Sequence, residues 1–355
     1  MFALGQKKSF GIDIGTQTIK IVEVGSSGIG FSIDNYSIWS DDIDKVLQQK
    51  NSDVVLSAQA ITNIIEVMIQ KSGMHISEAY VALPSCLALF AVIQIPILED
   101  KDLLTAIPLE AKKHIPVPLN SIQMDWINLG KNNLKNQYNV LIIAIPNAIA
   151  DKYVEVSKSL GIKIKGFELD CFSTLRSIGL PKEPVCVIDL GAKNSTVMIV
   201  DADKRLQTIQ TFDFGGSYVT EAIAQLKGCS IIEAELLKKQ NGVSGADSSI
   251  TDLVQSTIRS FISNDVVRLL RVVDDTMGLK INNFVLLGGS SKIAGIRDYI
   301  KFILKNQLNN DKIDISNATS VSGLSVKGVK KQEGVLDIWH DLILSVGVAL
   351  KKYIE

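Results

Sequence analysis

The chain of 355 residues lacks a charge excess, a cysteine-pairing motif and an uninterrupted hydrophobic span. Lys and Arg number 37 against 38 Asp and Glu, a net charge of −1, so bulk charge favours neither nucleic acid nor a cationic partner. Cys86, Cys171, Cys186 and Cys229 are scattered without C-x-x-C spacing, which argues against a disulfide scaffold and suits a reducing compartment. His75, His114 and His340 stand alone with no metal-binding spacing. No Ser–His–Asp or Cys–His order points to a nucleophilic site. The longest apolar stretch, residues 81–98, is interrupted by Pro84, Ser85, Gln94 and Pro96 and reads as buried strands, not a membrane span. Residues 1–9 are too short and polar for a secretory leader. These absences predict a soluble, cytoplasmic protein. Its 46% hydrophobic and 21% charged residues predict a sizeable core in two lobes or more.

What is present is a repeated turn. Residues 10–24 read Phe-Gly-Ile-Asp-Ile-Gly-Thr-Gln-Thr-Ile-Lys-Ile-Val-Glu-Val, two apolar β-type runs around a tight polar turn, hence a hairpin. Gly15 frees the backbone to turn and to approach a ligand closely. Thr16, Gln17 and Thr18 offer N–H groups and hydroxyls to an anion, as phosphate cradles do. Asp13 enters the turn where a carboxylate can hold Mg²⁺ directly or through water. A second copy spans residues 185–200, with Asp189, Gly191, Ala192, Lys193 and Ser195 in its turn. Asp13 and Asp189 are 176 positions apart (189 minus 13), so each half opens with strand, D-[IL]-G, polar turn, strand. The duplication favours metal-linked roles for both aspartates over simple turn-capping. It suggests a nucleotide held in a cleft between the halves. Lys20 and Lys193 read equally as phosphate contacts or as solvated lysines.

Along the chain, residues 31–39 predict a third strand, 58–72 a helix closed by Gly73, and 79–83 a strand ended by Pro84. Residues 87–136 change character: a strand to Ile95, then a helix from 99 towards 115 that Pro108 kinks or restarts, then a strand over 122–129. This reads as a small inserted subdomain. Residues 138–145 return to a core strand, 148–160 form a helix ending at Gly161, 163–168 a strand and 171–178 a helix. In the second half, 206–212 is a strand, and Gly215 and Gly216 turn into a helix over 219–226. Residues 231–240 are a charged helix and 253–277 a long amphipathic one. The strand 283–287 runs into Gly288, Gly289 and Ser290 before a helix over 296–304. A polar stretch, 306–331, precedes a closing helix over 336–353.

The order of these Gly-rich turns resembles the actin-like ATPase superfamily, which includes actin, FtsA and sugar kinases. In that superfamily the first two turns bind phosphates and the late Gly-Gly turn meets the adenosine. The run Ala234-Glu235-Leu-Leu-Lys238 resembles the A-E-x-x-K helix by which FtsA-type members hold ribose and base. Residues 235 and 238 share a helix face, though an ordinary exposed pair has the same spacing. A closer resemblance covers nearly the whole chain. Residues 11–24 are similar to GIDIGSSSVKVVEL, the opening of the family of type IV pilus assembly protein PilM, with Gln17 for a Ser. Residues 110–119, Glu-Ala-Lys-Lys-His-Ile-Pro-Val-Pro-Leu, resemble that family's E-A-x-x-Y-I-P-F-P-L, a segment FtsA lacks, with His114 for Tyr and Val117 for Phe. Residues 153–176 and the closing Gly347–Leu350 stretch fit as well.

The resemblance implies a two-lobed actin-like ATPase fold, α/β, of duplicated RNase H-like domains with an inserted FtsA/PilM-type 1C subdomain and a 2B subdomain. Its expected division is a first core of 1–86 and 138–182 completed by 336–355, the inserted subdomain at 87–137, a second core of 183–218 and 284–335, and 2B at 219–283. It further implies ATP and Mg²⁺ as ligands, and a role as an assembly scaffold beside the inner membrane. There such proteins grip the N-terminal cytoplasmic tail of PilN, with Ile115, Val117 and Leu119 as candidate groove residues. An FtsA-like division filament protein is the alternative, and a small-metabolite kinase a further one. For hydrolysis, the segment after the 141–146 strand offers one carboxylate, Asp151, which reads equally as a helix N-terminal acid. Binding is therefore better supported than turnover.

Overall fold

The computed structural model describes residues 7–15, 18–27, 30–40, 56–132, 136–319, 324–326 and 332–354. These fall into two compact units, one of residues 1–85, 151–179 and 318–355, the other of 86–150 and 180–317.

The first unit is built on a sheet containing β1 (Lys7–Ile14), β2 (Thr18–Ser27), β3 (Gly30–Ser40), β4 (Glu78–Leu83), β8 (Lys163–Leu169) and β14 (Leu324–Val326). Its order is β14-β3-β2-β1-β4-β8. β1–β2 and β2–β3 pair antiparallel, whereas β1–β4 and β4–β8 pair parallel. Ile12, Ile14, Ile19, Ile21 and Val22 are fully buried in it. Helix α1 (Ala58–Ser72) follows the predicted bounds. The Ser57 hydroxyl caps its start by accepting from the Ala60 N–H at 3.2 Å, and Gly73 closes it at φ 65°.

A buried ion network fastens α4 (Asp170–Ser177) and the closing helix α10 (Gln332–Ile354) to this sheet. The Glu168 carboxylate accepts from Arg176 Nη2 at 3.0 Å, from Lys351 Nζ at 3.1 Å, and from the Ser173 hydroxyl. Arg176 Nη1 also donates to the Gly347 carbonyl at 3.1 Å. With Arg176 Nη1 donating to the carboxylate as well, at 2.5 Å, Glu168 has four donors and can be buried without an orphaned charge.

The second unit repeats the same plan. Its sheet holds β9 (Val185–Leu190), β10 (Ser195–Val200), β11 (Leu206–Phe212), β12 (Asn283–Leu287) and β13 (Asp314–Asn317), in the order β11-β10-β9-β12-β13. As across β3-β2-β1-β4-β8 of the first sheet, the first two pairings are antiparallel and the last two parallel, while the first sheet carries β14 in addition, paired parallel with β3. The helices are α5 (Gly216–Lys227), α6 (Ile231–Asn241), α7 (Ser248–Phe261), α8 (Val267–Met277) and α9 (Ile296–Leu308). The stretch read as one long helix is broken by a π turn at Ile262–Val266, where the Val267 N–H reaches back to the Ile262 carbonyl. Phe261, Ile262, Val266, Leu269 and Val273 stay buried across the break, so packing of the apolar stripe overrides strict helical periodicity.

Residues 86–150 contribute a separate sheet in the order β5-β7-β6, with β5 (Leu89–Pro96), β6 (Ile122–Asn132) and β7 (Gln137–Pro146). Helix α2 (Asp100–Ala111) runs through Pro108 without a restart, and Leu103, Ile107 and Ala111 cluster with Ile93, Ile95, Val140 and Ile142. The strand read as a return to the first core is the middle strand here, paired with β5 and β6 on either side. Its run of buried residues fits a central strand of any sheet, so the sequence could not name the partner. Helix α3 (Asn147–Leu160) follows. Among the described residues, no helix is long and apolar enough to cross a membrane.

Candidate functional site

The β1–β2 hairpin sets Asp13 directly across from Lys20 and Ile14 across from Ile19. The Gly15 N–H donates to the Thr18 carbonyl at 2.9 Å, which closes the turn. Thr16 and Gln17, both predicted phosphate contacts, lie outside the described residues. Asp13 is only 4% exposed, and its nearest cation is Lys20 Nζ at 3.5 Å. Burial pushes the Asp13 carboxyl above the usual carboxylate range, and Lys20 opposes that shift without cancelling it. A buried carboxylate so weakly compensated is suited to a further cation.

The β9–β10 hairpin is built differently. Asp189 sits opposite Thr196 on β10 and Leu287 on β12. The turn is held through its carbonyls: Gly191 O accepts from the Gly216 N–H at 3.0 Å and from Ser290 Oγ at 2.9 Å, and Ala192 O accepts from the Ser217 N–H at 2.8 Å. The first N–H groups of α5 are thereby engaged by protein. Asn194 Nδ2 donates to Asp213 at 2.9 Å. The Ser195 hydroxyl, predicted to face a phosphate, is fully buried and donates to the Phe214 carbonyl at 2.7 Å, so it braces the turn from behind. Lys193 is half-buried on the turn.

The late turn follows β12. Gly288 has φ 85°, and a Cβ there would lie 2.4 Å from Asp189 Oδ1 and from the Leu190 carbonyl. Only glycine fits, and the late turn presses on the second aspartate. Gly289 is exposed and borders open space. Ser290 joins this turn to Gly191, as described.

Helix α6 starts at Ser230, whose hydroxyl accepts from the Glu233 N–H at 3.2 Å, and brings Glu235 and Lys238 onto one face. Lys238 Nζ lies 2.6 Å from Glu235 Oε2, 2.8 Å from Thr220 Oγ1 and 3.0 Å from the Gly216 carbonyl. Burial pulls the Lys238 ammonium below its usual value. Burial pushes Glu235 up, but hydrogen bonds from Lys238 and Thr220 outweigh it and hold the carboxyl below its usual range. In the second unit, then, Gly191, Ala192, Gly215, Gly216, Ser290, Glu235 and Lys238 converge through direct hydrogen bonds and neighbouring positions.

Sequence reasoning missed Thr220. Its position four residues after Gly216 hints at back-bonding to that carbonyl, seen at 2.9 Å. Its link to Glu235 Oε2 at 2.7 Å joins two helices and has no local signal. Asp151 is exposed on α3, five residues in, past the first turn where a helix dipole favours an acid. Ile115 is 6% exposed in the core of the β5-β7-β6 subdomain, Leu119 packs against that core, and Val117 is exposed. Among the described residues, no three His, Cys, Asp or Glu side chains gather to hold a metal.

A sequence profile of the family described as type IV pilus assembly protein PilM matches residues 11–353. Among solved structures, a PilM-PilN type IV pilus biogenesis complex is similar over 98% of each chain, with a TM-score of 0.79 and 19% identity. The ethanolamine utilization protein EutJ from Carboxydothermus hydrogenoformans matches with a TM-score of 0.54 and 14% identity, over 98% of this chain and 91% of its own. MreB5 of Spiroplasma citri bound to ADP matches with a TM-score of 0.50 and 14% identity, over 88% and 92%. These likenesses carry the fold, which is the actin-like one expected from the sequence.

Proposed function

From the premise that this chain belongs to the PilM family of type IV pilus assembly proteins, we propose that it is a nucleotide-binding scaffold of a pilus machine, docked to the cytoplasmic tail of a PilN-type membrane protein. The observation that carries the nucleotide reading is the convergence of the second turn, the Gly-Gly turn, the late turn and the Glu235–Lys238 face within one unit. Asp13, Gly15, Thr16, Gln17, Thr18 and Lys20 supply the first phosphate turn. Asp189, Gly191, Ala192 and Lys193 supply the second, and Gly288, Gly289 and Ser290 border the nucleoside. Mg²⁺ usually keeps several waters and leans on one or two carboxylates plus substrate phosphates. The described residues fit that habit, since they offer single carboxylates, Asp13 and Asp189, and no protein cage. The bound metal would neutralise phosphate charge. The segment after β7 offers one carboxylate, Asp151, as the candidate to orient an attacking water, and slow hydrolysis or none is expected.

Asp13→Ala and Asp189→Ala should each weaken Mg·ATP binding at least tenfold, while circular dichroism keeps the wild-type fold. Unchanged affinity by calorimetry in both variants would sink the nucleotide reading.

For the partner, the β5-β7-β6 subdomain is the proposed grip, because it carries the 110–119 segment. β5 is an outer strand available for pairing, and exposed Val117 is the best apolar anchor of the predicted three. Ile115 holds the subdomain's own core. Deleting residues 87–136 would strip β7 of both neighbours, so a point change is the better probe. Val117→Asp should reduce capture of a synthetic PilN-type tail at least tenfold by fluorescence anisotropy. Wild-type capture by that variant would move the groove elsewhere. Through this partner the protein would sit at the inner membrane.

A further inference from the structure

We infer that a groove between α7, the π turn and α9 docks an acidic segment of a partner protein, with a carboxylate seated on Arg259. It is built from none of the phosphate-turn, Glu235–Lys238 or β5-β7-β6 residues.

The groove encloses about 430 Å³. Arg259 on α7 stands in its wall, with its guanidinium Cζ 5.6 Å from the centre of the Tyr299 ring of α9. That ring is itself fixed, because the Tyr299 hydroxyl donates to the Gln255 carbonyl at 3.2 Å. A guanidinium laid on an aromatic face keeps its N–H edge free, and the flat fork matches a carboxylate in two parallel hydrogen bonds. Among the described residues, the Arg259 side chain has no ion pair and no hydrogen bond. An anion from outside the chain can therefore complete it.

The rest of the wall supplies hydroxyls and an amide. Ser256, Ser260 and Ser263 follow one face of α7 into the π turn, and Asn264 Nδ2 donates to Ser260 Oγ at 3.2 Å. The Ser263 oxygen is sealed from solvent and has no hydrogen-bond partner among the described residues. A buried hydroxyl left so is costly, and a carboxylate accepting its proton would remove that cost. Ser263 lies in the π turn itself, a feature frequent at functional sites.

Charge gives the groove a direction. Asp252 is exposed at the far end, two helical turns before Arg259, and has no cation partner among the described residues. Arg268, one turn past Asn264, is exposed and adds positive charge at the near end. Charges on and beside α9 are already paired, Arg297 with Asp298 at 3.2 Å and Lys301 with Asp314 at 2.8 Å. Asp265, within the π turn, is half-buried and outside the groove wall. From position 252 to 264 the helix runs about 18 Å, the length of about five or six extended residues. With a net charge of −1 the chain has no general attraction for acidic peptides, so their binding would report this local cation.

The test is fluorescence anisotropy on the full chain with fluorescein-labelled hexa-glutamate, against hexa-glutamine of the same length. The wild type should bind the acidic peptide about tenfold more tightly, the scale of one charge-assisted contact, and lose that preference as salt rises. Arg259→Gln should abolish the preference, and Arg259→Lys should restore only part of it, since an ammonium lacks the fork. Ser263→Ala should weaken hexa-glutamate binding about threefold. Asp252→Asn should act in the opposite sense and strengthen it about twofold, because a repulsive charge is removed. Should Arg259→Gln disturb the fold, that gain still decides, since unfolding cannot produce it, and its absence would count against the groove. A preference that survives in a folded Arg259→Gln variant would overturn the inference, as would a wild type with none. So would displacement of the peptide by inorganic phosphate at matching concentration, the mark of a site for free ions.

Discussion

The β1–β2 and β9–β10 hairpins occupy the same place in two sheets that share the order of five strands, and each carries an aspartate just before a glycine turn. In the first, the aspartate is buried and faces a lysine across the ladder. In the second, a threonine stands at the lysine's place, and two neighbouring segments, the start of α5 and the late turn, hold the turn through its carbonyls. One hairpin is tuned by charge and the other by backbone contact. The duplicated topology thus fixes where a turn lies, while its surroundings decide how rigid it is. A turn locked by carbonyl bonds suffers when any packed segment shifts. A turn steadied by an ion pair answers to charge and pH.

The sharpest break in this symmetry is expected from glycine substitutions. Gly288→Ala would force an L-residue to φ 85° and push its Cβ against Asp189 and the Leu190 carbonyl. Strain and overpacking together should cost about 3 kcal/mol. In the first hairpin, a Cβ on Gly15 meets the Thr18 carbonyl at 3.0 Å and the Thr18 hydroxyl at 3.5 Å, within reach of small adjustments. Gly15→Ala should change stability by about 1 kcal/mol or less. Urea midpoints, read with hydrogen exchange of the β9, β10 and β12 amides, would separate the two. Equal losses would show that the hairpins are alike after all.

The same contrast explains what was legible in the sequence. Alternating strands, the helix end at Gly73, and the paired D-[IL]-G turns are local signals, and these elements stand where their residues suggested. The π turn within 253–277 and the partner strands of β7 depend on contacts distant in sequence, so periodicity alone could not reveal them. At the candidate site, Glu235 and Lys238 were singled out by the resemblance to an A-E-x-x-K helix, and their spacing predicted only the shared helix face. Thr220 was not, because its meaning lies in a contact between α5 and α6. The inward turn of Ser195 was hidden for the same reason: a hydroxyl beside a turn reads as a ligand contact until the Phe214 carbonyl behind it is known.

A smaller effect would test the charged half of the comparison. Removing Lys20 leaves Asp13 buried without its opposing cation, so Lys20→Met should destabilise the first unit by about 1–2 kcal/mol at neutral pH. The sign with pH follows from the direction of the shift. The folded state holds the Asp13 carboxyl above its ordinary value, burial being the main cause. Ionising it therefore costs stability, which is complete below the unfolded carboxyl's value and is lost as pH rises through the folded one. Without Lys20 the folded value climbs further, and the loss extends to higher pH. Thermal midpoints of Lys20→Met should thus fall further below wild type at pH 7 than at pH 5. Adding Asp13→Asn should remove both the deficit and its pH dependence, since neither charge is then buried. A pH-independent deficit that persists in the double variant would mean that Lys20 supports β2 by packing of its stem, and the two hairpins would no longer differ in kind.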